Sequence, residues 1–444
     1  MRQPVMTNGF DTACGDGLPD TTRALIDRRA RVLGQPYRLF YQDPVHVVSA
    51  SGVRLTGADG QTWLDAYNNV PSVGHCHPHV VEAIATQAAR LSTHTRYLDE
   101  GIIAFAERFL PLFPGMDGRL VMTCSGSEAN DLAFRLARDH SGGTGFIITA
   151  NAYHGVTHVT AGLSPSLGEG VPMLEHVRTI SAPDPRLCGG PEHLDAFMEE
   201  QVRAAIHDMR RHGIRPAGMI LDTILSSDGV FADPPGWLRG AVEAIRAAGG
   251  LWIADEVQAG FGRMGSHMWG WQRHGVIPDI VTMGKPMGNG YPVAGLVARS
   301  DILGGFAESA RYFNTFGGNP VACAAASAVL DVIEGEKLMH NARITGARMK
   351  AGFTMLSRRY PLIGEVRGAG LFLGVDIIDP RDGSPDPATA SWLVNELRLR
   401  RVLISAAGPL GHVLKIRPPL PFTTTDCDEL LAVCEAALEV RPQN

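Results

Sequence analysis

No apolar run in the 444-residue chain approaches the roughly 18 residues that a membrane-spanning helix needs. The stretch Met1–Asp20 is polar, so neither an anchor nor a secretory signal is expected there. Cysteine is sparse: seven residues, an odd number, from Cys14 to Cys434, with no Cys-x-x-Cys pair. That argues against a disulfide framework and for reduced thiols in a cytoplasmic protein. Positive charge is not in surplus either. A formal net charge of −6 argues against a sequence-independent nucleic-acid binder or a protein of acidic membrane surfaces. No Gly-x-Gly-x-x-Gly turn follows the first strands, which counts against a nicotinamide dehydrogenase. Internal repeats and low-complexity segments are also missing.

What remains is ordinary for a globular enzyme, with 45% hydrophobic and 19% charged residues. The length suggests two domains, or one large α/β domain with appendages. Three segments are expected: an N-terminal arm with part of a smaller domain over residues 1–60, a large domain over 61–320, and a C-terminal small domain over 321–444. Val45 to Val53 and Gln61 to Leu64 read as strands, with Gly57 to Gly60 as their turn. Pro78 opens a helix running to Leu91. From about residue 120, short apolar strands alternate with amphipathic helices, so a mostly parallel sheet covered on both faces is predicted. Residues 164–194, rich in proline and glycine, resist assignment. The run His75-Cys76-His77-Pro78-His79 reads as a turn before that helix rather than a zinc site, and no metal is expected.

Two strand ends carry the candidate chemistry. Leu251-Trp252-Ile253-Ala254 is apolar and ends on Asp255; Asp279 to Gly284 is a second buried strand, with Lys285 just beyond it. Ligands of open α/β sheets bind outside the carboxyl ends of the strands, so Asp255 and Lys285 are expected in one pocket. A lysine that forms imines, with an acid that protonates a heteroaromatic nitrogen, is the pairing pyridoxal phosphate needs. Upstream, Ser125-Gly126-Ser127-Glu128 follows a strand and opens a helix with Ala129, Leu132, Ala133, Leu136 and Ala137 on its apolar face. Ser125 and Glu128 form a capping box, leaving Gly126 and Ser127 to offer backbone N–H groups to a phosphate. Tyr153 lies just after a strand, where it could stack on a planar cofactor, and Thr315 offers a hydroxyl beside Gly317-Gly318.

In order, Ser-Gly-Ser-Glu-Ala-Asn at 125–130, Tyr-His-Gly at 153–155, Asp-Glu-Val-Gln at 255–258, Met-Gly-Lys-Pro at 283–286 and Thr-Phe-Gly-Gly-Asn-Pro at 315–320 resemble the class III aminotransferases. These are pyridoxal-phosphate enzymes of fold type I, and the resemblance spans nearly the whole chain. Asn68-Asn69-Val70, Thr95-Arg96-Tyr97-Leu98 and Val413-Leu414-Lys415-Ile416 carry a nearer likeness to the branch of ethanolamine-phosphate phospho-lyases and alanine-glyoxylate aminotransferase 2-like proteins. The resemblance implies that Lys285 binds the cofactor as an imine and Asp255 pairs with the pyridine nitrogen. It puts Gln258 near the ring hydroxyl, Val257 and Tyr153 (beside His154) on the ring faces, and Ser125, Gly126 and Ser127 at the phosphate. Thr315 would reach that phosphate from a second copy, in a homodimer. Asn69 and Lys415 are the expected substrate contacts.

Two positions depart from the family pattern. The arginine often found three residues before a Pro-Pro pair is here Lys415, and Asp222-Thr223-Ile224 stands where a glutamate is usual. Arg417, the nearest arginine, is expected on the other face of its strand. The implied reaction moves an amino group between a small amine or amino acid and a keto acid or aldehyde. The alternative is a lyase eliminating phosphate or another group from a short aminoalkyl substrate.

Overall fold

The structure, a computed structural model, describes residues 8–11 and 17–441. Cys14, with residues 1–7 and 12–16 of the expected N-terminal segment, lies outside the described residues. A helix forms over Asp20–Val32, and none of its residues is buried.

The first sheet takes strands from both ends of the chain. β1 (Val47–Ser51), β2 (Arg54–Gly57) and β3 (Thr62–Asp65) form an antiparallel meander. The strand expected over 45–53 ends at Ser51, and an unexpected second strand, β2, follows it in a hairpin before the expected turn. Gly52 supplies the break with φ +56°, a conformation glycine adopts without steric penalty.

The central sheet has seven strands: β4 (Gly118–Thr123), β5 (Gly145–Thr149), β6 (Val177–Ile180), β7 (Pro216–Asp222), β8 (Leu251–Asp255), β9 (Ile280–Met283) and β10 (Ala294–Arg299). Their order is β4-β10-β9-β8-β7-β5-β6, with β10 antiparallel to both its neighbours and the β6-to-β9 run parallel. The edge strand β6 falls within the unassigned 164–194 segment. Alternation along the strands splits the core in two. Phe146, Ile148, Ile220, Ile253 and Ile280 pack on the helix Gly126–Ser141 through Leu132, Ala133 and Leu136. The intervening Ile147, Met219, Leu221, Trp252 and Val281 belong to the larger core with Met198, Val202, Val242 and Ile245 of helices Leu194–Arg211 and Arg239–Ala247. A period of two therefore buries both faces of one sheet. The predicted α/β architecture is the one observed.

After helices Pro320–Gly335 and Leu338–Arg359 come β11 (Ile363–Ala369), β12 (Phe372–Ile377), β13 (Val402–Leu403), β14 (Ser405–Ala407) and β15 (Val413–Ile416). The third sheet runs β11-β12-β15-β14, while β13 joins β3 in parallel and so ties the C-terminal segment to the first sheet. No described helix is long and apolar enough to cross a membrane.

Candidate active site

The register of the parallel strands sets Asp222, Asp255 and Thr282 side by side at the carboxyl ends of β7, β8 and β9. Lys285 opens the short turn Lys285–Gly288 just past β9. Together with Ser125, Gly126, Ser127, Asn130, Tyr153, His154, Val257 and Gln258, these strand-end groups Asp222, Asp255 and Lys285 line one pocket of about 290 Å³. The structure thus brings most of the expected site residues into one place.

Asp255 is 3% exposed and fully engaged. Its Oδ1 accepts the Val257 amide at 3.1 Å, and its Oδ2 accepts Asn130 Nδ2 at 2.9 Å and meets His154 Nδ1 at 2.8 Å. An ionised carboxylate only accepts, so His154 carries its proton on Nδ1. Asn130 is oriented in turn by Thr282 Oγ1, which donates to its Oδ1 at 2.6 Å. The motif containing Asn130 gave it no part in the site; only its place near the helix start, over the strand ends, hints at one.

Lys285 Nζ stands 5.7 Å from the Tyr153 ring centroid. Burial, with help from the Arg417 charge, lowers its pKa from 10.5 to about 8, against the opposing pull of Asp255 and Asp222. A buried ammonium is disfavoured, so the neutral, nucleophilic amine is accessible near physiological pH. Cofactor uptake by the apo-protein, followed by stopped-flow absorbance, is therefore expected to speed up about tenfold per pH unit below 8 and to level above it. Climbing on towards pH 10 would mean an unperturbed lysine. Burial also raises the pKa of Asp222, with Asp255 adding to the shift, and raises that of Asp228 to about 6.

At the other end of the pocket the capping box forms as expected. Ser125 Oγ accepts the Glu128 amide at 3.2 Å, and Glu128 Oε2 accepts the Ser125 amide at 2.9 Å. The Gly126 and Ser127 amides find no acceptor among the described residues, at the positive end of a 16-residue helix. A Cβ on Gly126 would meet Val257 Cγ2 at 2.9 Å, so only glycine lets the helix start approach this close. Glu256 turns away from the pocket, where Thr223 Oγ1 and the Gly270 and Trp271 amides bind it; burial raises its pKa to about 8.

These residues fit pyridoxal phosphate. They offer an unpartnered N–H pair for the phosphate, a carboxylate fixed for the ring nitrogen, and a lysine with depressed pKa. Gln258 spends its carbonyl on Asn69 Nδ2 (3.1 Å) and on Arg417, which leaves its amide NH₂ for the pocket. Thr315 is exposed and does not line the pocket.

Lys415 is 7% exposed, outside the pocket lining, with Nζ 5.5 Å from the Phe372 ring; burial, then the Arg417 charge, holds its pKa well below the usual lysine value. Arg417 was expected on the opposite face, and the structure corrects this. It lies two positions on from Lys415, an even offset, and its guanidinium lies 6.0 Å from the same Phe372 ring. It is 6% exposed and donates to Asn69 Oδ1 at 2.7 Å. The three histidines of the 75–79 run pair separately with Asp65, Glu336 and Asp331, and no described group of three His, Cys, Asp or Glu side chains could hold a metal.

Comparison with known proteins agrees with this geometry. The sequence profile of the family described as Aminotransferase class-III matches residues 40–438. The Drosophila melanogaster alanine–glyoxylate aminotransferase 2-like protein is 39% identical over 91% of this chain and 85% of its own length. The Caenorhabditis elegans ethanolamine-phosphate phospho-lyase homolog 1 is 35% identical over 93% of each. Among solved structures, a phospholyase from Arthrobacter in complex with phosphoethanolamine superposes with a TM-score of 0.90 at 42% identity. That match covers 94% of this chain and all of the other. A PLP-bound amine transaminase from an uncultivated Pseudomonas species gives 0.81 at 29% identity over 89% and 95%. The chain belongs to the class III aminotransferase family, and pyridoxal phosphate is its cofactor.

Proposed function

We propose that this chain transfers an amino group between a small amine or amino acid and a keto acid or aldehyde, with Lys285 as the proton-moving residue. The observation that carries this is the pocket itself, with Lys285, Asp255 and the open helix start of Gly126 and Ser127 facing one space. When bound, pyridoxal phosphate supplies an aldehyde that condenses with amines and a ring that accepts the electron pair of a broken C–H bond. Lys285, neutral above about pH 8, takes the proton from the substrate carbon that bears the amine. Asp255, fixed by Asn130, His154 and the Val257 amide, holds a proton on the ring nitrogen. Val257 and Tyr153 would flank the cofactor ring, the Gln258 NH₂ would be free for its hydroxyl, and Ser125, Gly126 and Ser127 would hold its phosphate.

A homodimer is part of the proposal, with Thr315 completing the phosphate end of a second copy. Thr315 is exposed beside Phe316, which is 70% exposed, and Tyr97 and Leu98 are also exposed. The division into residues 1–60, 61–320 and 321–444 is kept as a proposal. So is a cytoplasmic setting, for which the six unpaired described cysteines speak.

A second reading, elimination from a short phosphorylated amine, is favoured by one observation. Lys415 stands where the family often has an arginine, and neither it nor Arg417 has a carboxylate within ion-pair reach among the described residues. Lys285 and Asp255 serve both reactions; the leaving group on the adjacent carbon decides. The test is an assay of the holoenzyme with amines and keto acids. Transamination predicts turnover that depends on the keto acid. No such turnover, together with phosphate release from O-phosphoethanolamine, would contradict transamination and favour elimination.

A further inference from the structure

Asp228 is an acid that the proposed chemistry leaves unused. It is 8% exposed, lies outside the pocket lining, and forms no ion pair with a described cation. Burial pushes its pKa up to about 6. Asp222, at the start of the same loop, pushes the same way, while the Thr149 and Asn151 hydrogen bonds and His154 oppose the rise. Above that pH the protein therefore holds a buried, unpaired carboxylate, which costs stability. Buried groups with perturbed pKa values cluster at functional sites.

The two oxygens of Asp228 fasten one segment of chain. Oδ2 accepts the Thr149 hydroxyl at 2.7 Å and Oδ1 accepts the Asn151 amide at 3.0 Å, while Asn151 Nδ2 donates to the Ser227 carbonyl at 2.6 Å. Thr149 ends β5, and Tyr153 and His154 follow shortly after it. The far end of that segment is held separately. The His154 amide donates to Ser164 Oγ at 2.8 Å, and the His154 carbonyl accepts Asn130 Nδ2 at 2.7 Å. Tyr153 thus stands between two anchors. Asp228 is fixed in turn from the third sheet through its chain neighbours. Ser227 O accepts the Gly408 amide at 3.2 Å, and Gly229 O accepts Nη2 of Arg367 at 2.9 Å, where Arg367 on β11 pairs with Asp376 on β12.

We infer that Asp228 is a positioning residue for the cofactor: by tying the end of β5 to the loop after β7, it holds Tyr153 against the ring and His154 against Asp255. An ionised carboxylate only accepts, so Thr149 and Asn151 both direct their protons at it, and charge-assisted bonds of this kind are roughly twice as strong as neutral ones. A stiffer anchor is what the buried charge supplies. The charged groups that bear on it are Asp222 of its own loop, His154 of the anchored segment, Lys415 of β15, and Arg367, bound at the Gly229 carbonyl. The inference rests on the reading of Tyr153 as a residue of the ring face.

The test compares Asp228→Ala and Asp228→Asn with the native protein at pH 8. It reads the Tm of the apo-protein, the Kd for pyridoxal phosphate, and the visible circular dichroism of the bound cofactor, which reports how the ring is seated. In Asp228→Ala the cofactor Kd is expected to rise about tenfold, the size of one lost hydrogen bond to a charged group, with weaker dichroism per bound cofactor. Asp228→Asn, which can still accept the Asn151 amide, recovers part of both losses. Its apo-protein Tm moves the other way. It rises at pH 8, because the buried charge is gone, and the rise shrinks as pH falls through 6, where native Asp228 itself becomes neutral. Should the alanine variant fail to fold, Asp228→Asn alone decides, since it must combine a raised Tm with a weaker cofactor Kd. Native cofactor Kd and dichroism in both variants would overturn the inference, as would losses that track a lowered Tm in both. Unchanged dichroism in Tyr153→Ala would overturn instead the ring-face reading on which the inference rests.

Discussion

Replacing Lys285 by alanine is expected to lower turnover at least about 10³-fold, with the protein still folded. Two roles disappear together: the amine that binds the cofactor covalently and the base that moves the substrate proton, the latter alone being worth about 10²- to 10⁴-fold. The fold loses little, because Lys285 lies in a turn past β9 and its ammonium is held against its preference by burial. Thermal unfolding of the apo-protein is therefore expected at an unchanged or slightly higher Tm. Rate and Tm together check this: a variant retaining a tenth of native turnover would remove Lys285 from the chemistry, and a collapsed Tm would make its role structural.

Asp255→Asn should be almost as damaging for a different reason. The substitution is isosteric, so the pocket keeps its shape, but the charge that holds a proton on the ring nitrogen is lost. Removing one such preorganised electrostatic group typically costs about 10²- to 10³-fold in kcat. The variant also carries a stability cost. Three donors converge on this carboxylate, from Asn130, His154 and the Val257 amide. An asparagine accepts through one oxygen only, so its NH₂ must face at least one of those donors. A buried donor left unsatisfied costs about 1–3 kcal/mol. Steady-state kinetics and thermal melts of the apo-protein separate the two effects. Native kcat would count against the electrostatic role, and a native Tm would count against the three-donor geometry.

Local signals were the legible ones. The apolar runs of β8 and β9 end on Asp255 and just before Lys285, so burial and charge reversal marked both strand ends. Ser125 and Glu128 are three residues apart, and the capping box they imply forms within one helical turn. Opposite these stand features that depend on distant partners. Asn130 meets Asp255 across 125 residues, and Thr149 meets Asp228 across 79, with no periodicity to announce either. The four residues of β6 are too short for an alternation to stand out from a loop rich in proline and glycine. β2 was left between the strand expected to end at Val53 and the turn expected at Gly57, because Gly52 reads as an ordinary strand residue until its positive φ is known. Arg417 was a different kind of miss. It follows directly on β15, its guanidinium reaches the same Phe372 ring as Lys415, and the even offset was the available signal.

One measurement addresses the central claim most directly. The chain has only four lysines, at 285, 337, 350 and 415. Lys337 is exposed, and Lys350 is paired with Asp233 at 2.9 Å. Both remaining lysines have pKa values lowered by burial, so each is chemically able to capture an aldehyde. Borohydride reduction of the pyridoxal-phosphate-loaded protein, followed by peptide mass spectrometry, locates the lysine that carries the cofactor. The reduced cofactor is expected on the peptide containing Lys285 and on no other. Its recovery on Lys415, or on no lysine at all, would contradict the account.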